Sequence, residues 1–136
     1  MTIRTIAAAF AMLATPLSAQ EIDPPVEFVR PDFSDVVDEM DLQRLVIDGV
    51  LVPILVVPLA FGGSDSAVNT MYVTPEAAAE KELADATLLE LAEQGLLNSF
   101  ELIPEHRGES VVPTRLTFHA NHKGEGERFD LTIEVW

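Results

Sequence analysis

The residues with chemical potential in this chain are three histidines and a surplus of carboxylates. His119 and His122 lie three apart near the C-terminus, with Glu125 and Glu127 following, while His106 stands alone upstream. Two imidazoles and a carboxylate are a donor set for zinc or copper, so His119, His122 and Glu125 form the candidate metal site. Strand geometry opposes it. Residues 119 and 122 point to opposite faces of an extended chain and converge only where the chain has begun to turn.

Paired carboxylates are available everywhere in so acidic a chain and therefore single out no acid–base centre. Asp130 and Glu134 share one strand face and are placed to meet Arg115 and His119 across a hairpin, as charge pairs that support a sheet. Catalysis is the less favoured expectation. The stretch Gly62–Tyr72 (GGSDSAVNTMY) matches neither the P-loop nor the Gly-x-Ser-x-Gly elbow, and no histidine is placed to activate Ser64 or Ser66. Absence of cysteine removes thiol catalysis, disulfides, thiolate zinc sites and iron–sulfur clusters. Trp136 ends an alternating strand on its polar side, which makes Trp136, with Arg115 and His119, a candidate protein-contact face; the alternative is that it caps the sheet's edge or the N-terminal arm.

These residues need a scaffold, and the sequence supplies its outline. Arg4, the apolar run Ile6–Leu13, Pro16 and the small residues before Gln20 read as a signal peptide cleaved after Ala19. That apolar run is too short to span a bilayer, and an export signal implies a periplasmic or secreted protein. Removing residues 1–19 takes away Arg4 and no acid, moving the formal charge from −15 to −16. Such a field disfavours nucleic acid and anionic membranes and suits a basic protein partner or a divalent cation.

Residues 20–41 read as an acidic, proline-containing arm, in which Ser34 caps one helical turn bearing Val36, Val37 and Met40. From 42 to 136 a single α+β domain is expected. Leu42–Phe61 predicts a central hairpin turning at Asp48-Gly49, because a type I′ turn needs positive φ at both centres. Pro53 and Pro58 then make its second strand an edge or a bulged strand. Leu45–Gly63 read as a membrane helix is opposed by those prolines and by Asp48. Gly62–Tyr72 reads as a polar turn.

Thr74-Pro75-Glu76 is a helix start, and the Ala-, Leu- and Glu-rich run to Gln94 is closed by Gly95. Its apolar stripe is Ala77, Ala84, Leu88 and Leu91. Three strands follow: Leu97–Ile103 ended by Pro104, Val111–Asn121, and Phe129–Val135. The resulting order is β-β-α-β-β-β, a small antiparallel sheet with one long covering helix. The function that fits is an exported accessory or protein-interaction module. The alternative is a small-ligand or divalent-metal-binding protein using His119 and His122.

Overall fold

The computed structural model describes residues 29–122 and 128–136. The expected signal peptide lies outside them. Helix α1 (Glu39–Ile47) comes first, then β1 (Val52–Leu55), β2 (Thr70–Val73), the long helix α2 (Pro75–Glu93), β3 (Ser99–Glu105), β4 (Arg115–Asn121) and β5 (Phe129–Glu134). The architecture is mixed α+β with two antiparallel sheets, β1-β2 and β3-β4-β5, and one long helix. Helix α2 touches both sheets, through β1 and β5. Among the described residues no helix is long and apolar enough to cross a membrane.

The strand order after α1 is β-β-α-β-β-β, but the first hairpin is not the one expected. Asp48-Gly49 ends a helix instead of turning a hairpin. Asp38 caps the start of α1, its side chain accepting from Asp41 N at 2.9 Å. Leu42, Leu45 and Val46 fall at helical spacing and pack on the core. At the other end Gly49 N donates to Val46 O at 3.1 Å and Val50 N to Leu45 O at 2.9 Å, a Schellman closure around Gly49 at φ +73°. A left-handed glycine satisfies a helix terminus and a type I′ turn equally. The helical spacing of Leu42, Leu45 and Val46 separates the two.

Ser34 caps no helix. Its N–H donates to Asp32 Oδ1 at 2.9 Å, and a turn buries Phe33 and Val36 while Val37 and Met40 stay exposed. The partner of β1 comes from the stretch expected to be a polar turn, with Val52 opposite Val73 and Leu55 opposite Thr70. Asn69 makes this possible. Its carboxamide accepts from Val57 N and donates to the carbonyls of Val57 and Ser64, each at 2.8 Å. That fastens the chain between the strands without regular structure. Gly63 passes so close that a Cβ there would collide with the Val57 carbonyl oxygen.

Helix α2 follows its expected limits. Thr74 accepts from Ala77 N at 3.3 Å, Pro75 opens the first turn, and Gly95 (φ +77°) closes the last. Ala77, Ala84 and Leu88 are buried, but so is Lys81, which stands on the same stripe. In the larger sheet Leu116, Phe118 and Ala120 of β4 and Ile133 of β5 face inward. Each such large side chain contributes about 1.5–3 kcal/mol by its burial. β3 runs through Pro104 to Glu105, which an edge strand tolerates because one side needs no ladder bonds.

Candidate functional site

The outward face of β4 gathers the charges that the alternation predicts. Arg115 lies between two carboxylates, Nε 2.8 Å from Glu134 on β5 and Nη1 3.2 Å from Glu105 on β3. These partners hold its guanidinium above the ordinary range, Glu134 most strongly. Two pleat repeats along, His119 Nδ1 is 2.6 Å from Asp130 Oδ1, to which Arg128 Nε also donates at 2.6 Å. Arg128 Nη2 stands 2.6 Å from the same imidazole nitrogen. Nδ1 therefore donates to the carboxylate when it carries the proton and accepts from the guanidinium when it does not. The hydrogen bond from His119, then that from Arg128, pulls the Asp130 carboxyl below the usual aspartate range.

His119 is thus committed to a cross-strand pair, and His122 lies beyond the end of β4. Glu125 and Glu127 lie outside the described residues. Among the described residues no group of three or more histidine and acidic side chains is arranged to hold a metal ion. His106 is at the opposite end of the sheet, its Nδ1 3.0 Å from Ser110 O.

Trp136 is not on the outward face. β5 ends at Glu134, so strand parity no longer governs it, and the ring turns inward to 7 % exposure. It meets Phe33 edge-on at 5.9 Å, its Nε1 donates to Val112 O at 3.3 Å, and Arg107 stacks at 5.0 Å. An indole so covered has little surface to offer a partner; it caps the N-terminal segment instead.

The more suggestive place is one that sequence reasoning reached only at its rim. An open cleft of about 450 Å³ lies between β1 and α2, walled by Pro53, Ile54, Leu55, Pro58 and Leu59, with Lys81 and Asp85 on the helix side. Lys81 Nζ is 2.5 Å from Asp85 Oδ2 and 5.9 Å from the Phe118 ring centroid, with only 3 % of its side chain exposed. Asp85 is 23 % exposed, and burial pushes its carboxyl upward against the opposing pull of Lys81. Among the described residues, Asp85 Oδ1 is the one buried side-chain polar atom without a hydrogen-bond partner. The sequence did carry a signal. Lys81 is four residues after Ala77 and three before Ala84, a charge on the apolar stripe with an acid one turn on.

The β1 ladder shapes this cleft. Val56 N donates to Asn69 O at 2.8 Å, in register with the β1-β2 pairs. Bonded positions alternate, so Val52 and Ile54 face β2 while Pro53 and Leu55 turn their main-chain groups outward. Pro53 has no N–H, and the next outward N–H after Leu55, that of Val57, is taken by Asn69. The edge is blunted except at Leu55. No family model, curated protein or solved structure matched this chain.

Proposed function

We propose that this chain is an exported, non-enzymatic interaction module whose partner protein docks in the cleft between β1 and α2. The observation that carries the reading is the exposed apolar wall at the sheet's edge. Leu59 is 60 % exposed at the mouth, beside Pro53, Pro58 and Leu55. Concave apolar surface with a few polar groups is what binding sites share, and a chain spending it on solvent loses stability for nothing. The acidic field of the whole chain favours a partner with basic flanks and disfavours nucleic acid, speeding encounter more than it adds affinity. Export through the N-terminal signal places the encounter in a periplasm or outside the cell.

On β4, Arg115 and His119 are engaged with carboxylates across the strands, as charge pairs that support the sheet. A photo-crosslinking side chain placed at Leu59, in the native host, tests the proposal against the same side chain at Val68. Val68 is 94 % exposed and lines no part of the cleft. A discrete adduct with one protein at position 59 and none at 68 supports the cleft. Equal patterns at both positions, or none at either, reject it.

A further inference from the structure

We infer that the segment taken into the β1–α2 cleft is an extended, uncharged aliphatic peptide, anchored by one of its main-chain amides on the Lys81–Asp85 pair. This rests on the cleft being the docking surface and adds the chemistry of what enters it. The pair is a buried ammonium beside a carboxylate, neutral in sum, and its capacity is unspent. An ammonium has three protons, and Asp85 is the one acceptor seen at Lys81 Nζ. Among the described residues Asp85 Oδ1 has no donor.

A buried acceptor left in that state is costly, and native proteins hold few. What completes the pair must offer an acceptor to nitrogen and a donor to oxygen together. A peptide amide does both, its C=O to Lys81 and its N–H to Asp85 once the carboxylate turns slightly about Cβ–Cγ.

Charge excludes the other head groups. An anion would answer the ammonium but leave the orphan oxygen without a donor, and would meet Glu82 at the rim within a strongly acidic chain. A cation would compete with Lys81 for Asp85 while facing its ammonium. A neutral amide avoids both conflicts. The opposite wall agrees with a backbone ligand, since Leu55 turns its N–H and C=O away from β2 toward the edge. A short segment can pair there at a single residue, while Pro53 prevents a longer ladder. Aliphatic side chains then lie on Pro53, Leu55, Pro58 and Leu59.

The test uses the full chain and three capped synthetic pentapeptides: a Val/Leu/Thr parent, the parent N-methylated at its central amide, and the parent with a central Asp. Binding is followed by amide and lysine side-chain NMR. The parent should give saturable shifts at Leu55, Lys81 and Asp85. N-methylation, which removes the donor, and the central charge should each weaken binding about tenfold or more. In Lys81→Met with Asp85→Leu, which removes the acceptor for the amide N–H, the parent should lose its advantage over the N-methylated peptide. If that variant does not fold, the comparison on the unaltered chain decides alone.

Equal affinity for the parent and N-methylated peptides overturns the amide anchor and leaves the cleft standing as a docking surface. Absence of parent binding alongside a Leu59 adduct also overturns the anchor alone. Absence of both rejects the cleft itself.

Discussion

Lys81 and Asp85 form the least economical contact in the fold. A buried pair loses more solvation than it regains unless every remaining proton and lone pair is satisfied, and here one oxygen is not. Its removal should therefore depend on whether one partner or both are replaced. Asp85→Ala strands the ammonium against Phe118 and should cost about 3–5 kcal/mol. Lys81→Met with Asp85→Leu fills the same space with apolar atoms and should be neutral or stabilising. Urea unfolding of the two variants decides it, and a double variant as weak as the single one would mean that the pair earns its place in the fold. Asn69 is the opposite case, a buried side chain whose oxygen and nitrogen bond Val57 N, Val57 O and Ser64 O. Asn69→Ala orphans Val57 beside the tight passage at Gly63 and should cost about 2–3 kcal/mol, read from the urea midpoint at constant m.

At the scale of elements, the outer face of β3-β4-β5 gives a pH prediction with a definite sign. Asp130 is lowered in the folded state by His119 and then Arg128. Its contribution is complete above the unfolded aspartate pKa, about 4, and is lost as pH falls through the lower folded value. Asp130→Asn should narrow its stability gap to the parent protein across that acid window, and an unchanged gap would show that the pair does not hold in solution. This face was legible beforehand because strand alternation has one solution once Leu116, Phe118 and Ala120 turn inward. Helix α2 was legible for a similar reason, its cap, proline and closing glycine all agreeing. Asp48-Gly49 was not, since a positive-φ glycine closes α1 as readily as it turns a hairpin. Thr70–Val73 was hidden because its ladder is organised by Asn69, a side chain acting at a distance in sequence. The cleft residues were visible only in part: Pro53 and Pro58 marked an edge, whereas Lys81 was passed over inside an otherwise apolar stripe.

The whole molecule is closed by its two described ends. Val36 O accepts from Val111 N at 2.9 Å, and Ser110 Oγ donates to Phe33 O at 2.8 Å, so the segment before α1 is fastened to the connection between β3 and β4. Trp136 completes the closure from the other terminus, meeting Phe33 edge-on while Thr114 O accepts from Val135 N at 2.8 Å. Sheet, arm and C-terminus thus converge on one cluster, and a tryptophan that looked free by parity is the last piece of the core. If the two rings close the fold together, their removal should not be additive. Phe33→Ala and Trp136→Ala should each cost about 3–5 kcal/mol. The double variant should cost less than the sum by about 0.5–1.5 kcal/mol, the range measured for aromatic pairs beyond their burial. Phe33→Leu and Trp136→Phe supply a milder cycle where the alanine variants do not fold. Strict additivity in both cycles would mean that arm and C-terminus are held separately by their own hydrogen bonds, with the rings as neighbours only.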